Sequence, residues 1–147
     1  MYERTQHARW MWFILLAALP LVVAWGLSPS IATLAPAIAV VVPIVAILAI
    51  FARLTIHVDG EAVSWYMGWG WPAGAIALRD IAGAELTSTN FLEGWGIHYT
   101  IWHGWLWNVG GFRAVEITKT DGRRVTLGTD DPQGLLQAIE RFRQGAA

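Results

Sequence analysis

The sequence predicts an α+β membrane protein. It reads as an N-terminal two-helix transmembrane hairpin, followed by an antiparallel β-barrel or sandwich capped by a C-terminal amphipathic helix. Three observations predict this. Residues 10–52 contain no Asp, Glu, Lys, Arg or His, and Arg9 and Arg53 bound the run. After Arg53 the apolar pattern changes to period two, interrupted by Asp59-Gly60 and Asp121-Gly122, both strong hairpin-turn dipeptides. After Asp131 the period changes to that of a helix, with Leu135, Leu136, Ile139 and Phe142 on one stripe.

The uncharged run is too long for one span. Forty-three residues would make a helix of roughly 65 Å, against a hydrocarbon core of about 30 Å. Two antiparallel spans fit, at 10–27 and 31–52, with the break at Ser28-Pro29-Ser30, the only cluster of turn formers in the run. Residues 1–9 read as a short polar tail. Arg4, Arg9 and Arg53 flank an uncharged loop, so both termini are expected on the cytoplasmic side of a cell (inner) membrane. A cleaved signal peptide is the competing reading, and Ala24-Trp25-Gly26 makes a poor cleavage site. Trp10, Trp12 and Trp25 fall in the first span and are expected at the membrane interfaces, where indoles prefer to sit.

The chain has 147 residues, so one small extramembrane domain remains, over 54–144. From Arg53 onward there are eight Lys/Arg and ten Asp/Glu. That balance argues against a nucleic-acid partner, which needs a basic footprint. The absence of cysteine excludes disulfides, thiolate metal sites and cysteine nucleophiles.

Within the domain, Ile56 and Val58 begin the alternation. Val63, Trp65, Met67 and Trp69 share the face of a second strand. Gly70 to Gly74 is a turn, further strands are expected near 76–78, 82–88, 97–102, 112–120 and 123–127, and 104–109 reads as a short aromatic segment. Asp131 is a good N-cap and Pro132 a favoured first helical residue. Strands closed by one C-terminal helix follow the order of a pleckstrin-homology-like (PH-like) barrel. Almost nothing separates the second span from the first strand, and the second strand is long enough to return to its level. Trp69 and Trp71 are therefore expected at the membrane interface.

Candidate sites are few. His98 and His103 are five apart, so on one continuous strand they face opposite sides and cannot share a metal; no metal or other cofactor is expected. Asp80, Glu85 and Glu93 read as turn and loop residues, and no nucleophile elbow surrounds the serines. Gly68-Trp69-Gly70 and Gly94-Trp95-Gly96 open no helix and precede no Lys, so they are not phosphate loops. Trp95, Trp105 and Trp107 stand in or beside glycine-rich segments. They pack on each other, cover the membrane interface or form a binding patch. With His98 they are the candidate binding residues.

Gly94-Trp95-Gly96-Ile97-His98, Gly104-Trp105-Leu106-Trp107-Asn108-Val109, Gly111-Phe112-Arg113-Ala114-Val115-Glu116 and Gly128-Thr129-Asp130-Asp131-Pro132 together carry a resemblance. The chain resembles a family of uncharacterised bacterial membrane proteins with two transmembrane helices and a PH-like domain. The resemblance covers about 54–143 and implies a fold and a membrane location, but no reaction. In that family an Arg usually stands at the position of His98, and a Tyr at that of Trp107. The expected function is a membrane-anchored binding or assembly module without catalysis. Its expected partners are the lipid bilayer and a protein partner or second copy; the alternatives are a lipid-headgroup sensor and a His-based metal-dependent protein.

Overall fold

The alternating segments after Arg53 form strands, and so does the polar N-terminus before them. The computed structural model describes residues 1–9, 11, 13, 14, 16, 23, 31–90 and 96–145, with the side chains of 31–37 and 40 outside the description. Its elements run β1 (Tyr2–His7), α1 (Ile31–Ile50), β2 (Arg53–Val58), β3 (Ala62–Met67), β4 (Ala73–Ala77), a single helical turn Leu78–Asp80, β5 (Ile81–Ser88), β6 (Gly96–Thr100), β7 (Gly104–Asn108), β8 (Arg113–Lys119), β9 (Arg124–Gly128) and α2 (Pro132–Gly145). One sheet has the order β1-β2-β3-β4 and the other β5-β8-β9-β7-β6. All neighbours are antiparallel except β7 and β9, which pair in parallel from Trp105↔Val125 to Trp107↔Leu127.

The core lies between the sheets. Leu54, Ile56 and Val58 of β2, with Val63, Trp65 and Met67 of β3, meet Val115 and Ile117 of β8 and Val125 and Leu127 of β9. Helix α2 closes this core with Leu135 and Ile139, both fully buried, and packs against β5, β8 and β2. Asp131 caps it: its Oδ1 accepts the Gly134 N–H at 3.1 Å, and its carbonyl accepts the Leu135 N–H. Both hairpin turns are closed by their aspartates. Asp59 Oδ1 accepts the N–H groups of Glu61 and Ala62, which hold its carboxyl below the usual range. Asp121 accepts the Arg123 guanidinium and backbone N–H, and these hold its carboxyl lower still.

Three expectations are corrected. Residues 1–9 are not a tail, because β1 pairs with β2 from Tyr2↔Val58 to His7↔Arg53. The membrane hairpin expected over 10–27 and 31–52 is not supported: among the described residues no helix is long and apolar enough to cross a membrane. Most of 10–30 lies outside the described residues, Trp10, Trp12 and Trp25 included. The inner-membrane, multi-pass location with cytoplasmic termini falls with the hairpin. Finally, the fold is mostly β, as two sheets with a C-terminal helix.

The first strand is tied down by side chains as well as by its ladder. Arg4 Nε and Nη2 donate to the two carboxylate oxygens of Asp130, both at 2.9 Å. The Tyr2 hydroxyl donates to Asp131 Oδ2 at 3.3 Å, and burial together with that carboxylate pushes the phenol up to about 12. The Gln6 amide donates to the Gly110 carbonyl, and the hydroxyls of Thr5 and Thr55 meet at 3.0 Å.

The Arg4 hydrogen bonds hold the Asp130 carboxyl below its usual value. A carboxyl lowered on folding stabilises the native state above its unfolded value of about 3.9, and that contribution is lost as pH falls through the lower folded value. Thermal melts of Asp130→Asn should therefore show a shallower loss of stability below about pH 4 than the parent, and an unchanged slope would mean that Arg4 does not anchor β1. Separately, Ile139→Ala should cost about 2–5 kcal/mol in denaturant unfolding; a loss below about 1 kcal/mol would show that α2 does not close the core.

Candidate functional site

Trp65 and Trp107 face each other across the two sheets. Trp65 projects from β3 and Trp107 from β7, with ring centroids 5.7 Å apart in an edge-to-face arrangement, a geometry that aromatic quadrupoles favour. Trp105, two residues before Trp107 and so on the same face of β7, makes a second edge-to-face pair with Tyr99 of β6 at 5.9 Å. Between β4 and the β7–β9 side of the other sheet these rings leave a groove of about 300 Å³, lined by Trp65, Gly74, Trp105, Trp107 and, at the β8–β9 turn, Lys119 and Arg123. Gly74 is required there. It sits opposite Trp65 in the ladder, and a Cβ on it would lie 2.5 Å from the Trp65 Cζ2 atom.

The histidines are separated, each with its own partner or none. His98 pairs with Leu106 in the β6–β7 ladder, and its Nε2 is buried without a hydrogen-bond partner among the described residues. His103 lies in the β6–β7 turn, where its Nδ1 is 2.9 Å from Glu116 Oε2. Arg124 Nη1 donates to the other carboxylate oxygen at 3.3 Å, and the Thr126 hydroxyl donates to the His103 carbonyl. His57 is on the other sheet, stacked on Tyr66 and 3.7 Å from Glu3. Among the described residues no group of three or more His, Asp or Glu is placed to hold a metal.

The Glu116 cluster was not readable from sequence. Glu116 stands in the middle of β8, and its partners come from a different turn and the next strand. The register Glu116↔Thr126 brings Arg124 alongside, and the β6–β7 turn delivers His103. The only sequence signal is an acid inside an otherwise apolar strand, Ala114-Val115-Glu116-Ile117.

A second surface is apolar. Trp69 and Trp71 stand in the β3–β4 turn at 80% and 73% exposure. The expected core-facing register for Trp69 fails because β3 ends at Met67 and Gly68 turns the chain with φ +53°. The turn sits against the C-terminal half of α1, leaving a cavity of about 900 Å³ lined by Val41, Val42, Val45, Ala49, Trp69 and Trp71 among others. Gly68 makes this contact possible, since a Cβ there would lie 3.0 Å from the Ile50 carbonyl oxygen. Of the candidate binding residues, the structure thus brings together Trp105 and Trp107, places His98 on the opposite face of its hairpin, and leaves Trp95 outside the described residues.

No family model, no curated protein and no solved structure matches the chain. The resemblance to two-span membrane proteins with a PH-like domain is accordingly corrected: the described chain is β-rich, with two continuous helices, neither able to span a bilayer.

Glu116 is buried and holds Arg124 and His103, so removing its carboxylate takes away a contact that fixes both. Because Arg124 is 41% exposed and also reaches the Ile101 carbonyl, Glu116→Ala should lose about 1–3 kcal/mol, with Glu116→Gln intermediate because its amide keeps one acceptor. Equal stability of the parent and Glu116→Ala in urea unfolding would show that the cluster is not structural.

Proposed function

We propose that the protein is a binding module without catalysis and that lipid covers its α1 surface. One observation carries this. Ile38, Val41, Val42, Ile44, Val45 and Ile47 are all exposed, as are Ala39, Pro43 and Ala46, and at 100° per residue together they point to every side of the helix. A helix that is apolar all round is ordinarily buried, and an apolar patch on this scale marks an interaction site. Trp69 and Trp71 extend the same surface, and indoles favour the boundary between apolar and polar media.

The non-catalytic part of the reading rests on how the polar groups are used. Glu116 is committed to Arg124 and His103, Asp130 to Arg4 and Asp131 to capping α2. The acids nearest His103 and the groove, Glu116 and Asp121, are thus held by Arg124 and by Arg123.

Flotation of the full chain with neutral phosphatidylcholine vesicles tests the lipid contact. The parent should float, and Val42→Asp, at an exposed position that folding does not use, should reduce the floated fraction by about tenfold or more, given the cost of a carboxylate in an apolar phase. A parent that stays at the bottom of the gradient, or a Val42→Asp variant that floats equally well, overturns the proposal. So does a vesicle-free oligomer that masks Val42.

A further inference from the structure

We propose that the groove between the two sheets binds a small apolar carboxylate, an aromatic or hydrocarbon body carrying one negative charge. The proposal is independent of the lipid contact of α1, because it uses different residues and a different kind of recognition.

The walls suit the body of such a ligand. Trp65, Trp105 and Trp107 present aromatic surface to a space of about 300 Å³, at the lower end of the range for small-molecule pockets. Trp105 remains 51% exposed, so the rings do not seal the groove against each other.

The mouth suits a single negative charge. Lys119 Nζ and Arg123 Nη2 share one carboxylate, Asp121, at 3.5 and 2.6 Å. Two cations on one anion leave one positive charge uncompensated. Arg124 also lines the groove, but its guanidinium is spent on Glu116 and on the Ile101 carbonyl. A cationic guest is therefore repelled. A multiply charged anion finds only one unmatched charge, and a neutral hydrocarbon finds none of its own to offer.

The wall also holds an unused donor. Trp65 is only 4% exposed, and its Nε1–H has no hydrogen-bond partner among the described residues. Leaving a buried donor unmatched is costly, more so than the modest gain from an ordinary hydrogen bond. The Nε1 edge of the ring abuts Gly74 in the groove wall, where a Cβ would lie 2.9 Å from that nitrogen. The indole itself fills the space a Gly74 side chain would take and closes its own N–H to the groove, so the charge of a guest is held by Lys119 and Arg123. Body and charge together define an apolar carboxylate.

The probe is phenylbutyrate, with its neutral amide phenylbutanamide as control, added to the full chain carrying nitrogen-15 in its tryptophan indoles. The Trp65 indole signal is identified by its loss in Trp65→Phe. Phenylbutyrate should move that signal saturably and bind about tenfold or more tightly than the amide, as expected for a hydrogen bond to a charged group. Arg123→Ala and Lys119→Ala should each weaken binding several-fold in calorimetric titration. Arg123 is exposed, so its replacement keeps the test valid even if Trp65→Phe does not fold. A linear shift without saturation, equal binding of acid and amide, or binding unchanged in both Arg123→Ala and Lys119→Ala overturns the proposal.

Discussion

The ladder between β1 and β2 is the constraint on which the rest of the structure depends. Its register runs from Tyr2↔Val58 to His7↔Arg53, and one further bond, the Ala8 N–H to the Ala52 carbonyl at 2.8 Å, closes the pairing beyond the strands. The chain therefore leaves the sheet at Ala8 and returns to it at Ala52, at one point on one edge. Everything between, the whole uncharged run, is an excursion pinned at its base. Closing a loop this long carries an entropic cost that grows only slowly with length, and β1 offsets it with six paired residues and with anchors that reach outside its own sheet. Arg4 reaches Asp130 and Tyr2 reaches Asp131 at the start of α2, while Gln6 reaches Gly110 beyond β7. A strand that is polar on its exposed face is also a suitable edge, since charges discourage pairing with another chain.

The same economy shapes the space between the sheets. β2, β3, β8 and β9 supply branched and sulfur-containing side chains that bury almost completely between the sheets. Towards β4 and β7 the partners become indoles, which meet edge to face instead of interdigitating. Gly74, opposite Trp65 in the β3–β4 ladder, leaves the indole its room but fills nothing itself. The groove follows from that combination: large flat rings on one side, a missing side chain on the other, and a charged hairpin turn at the mouth.

Parts of this were legible in the sequence because they depend on local chemistry. Asp59-Gly60 and Asp121-Gly122 close hairpins through their own carboxylates, a reason that sits within four residues. The stripe of Leu135 and Ile139 and the cap at Asp131 are equally local. β1 was not legible, because Tyr-Glu-Arg-Thr-Gln-His has no apolar period; its burial comes from β2, more than forty residues away. The parallel pairing of β7 and β9 and the convergence of His103 and Arg124 on Glu116 are likewise products of topology. Of the candidate site, Trp105 and Trp107 stood out only as large rings beside glycine-rich segments, and their partner Trp65 read only as core bulk. The run from Trp10 to Ala52 shows the opposite limit: absence of charge says that water is avoided and leaves open what replaces it.

The β3–β4 hairpin belongs to both surfaces. Its turn sets Trp69 and Trp71 against α1, and its strands carry Trp65 and Gly74 into the groove. Such an arrangement invites the idea of communication between them, but spatial intermediacy is not coupling, which needs an element with two arrangements that both sites bias. Here the hairpin is held in one. The Met67 N–H bonds to the Pro72 carbonyl at 2.9 Å and the Gly70 N–H to the Met67 carbonyl at 3.0 Å, closing the turn. The Gly68 N–H bonds to the Arg53 carbonyl at 3.0 Å, and Arg53 donates back to the Gly68 carbonyl, fixing the turn to the start of β2. Moving Trp71 relative to α1 would break bonds that do not touch the groove, and rotating Trp65 would push its ring into Gly74 without reaching the turn. The hairpin is thus a rigid mount shared by the α1 face and the groove.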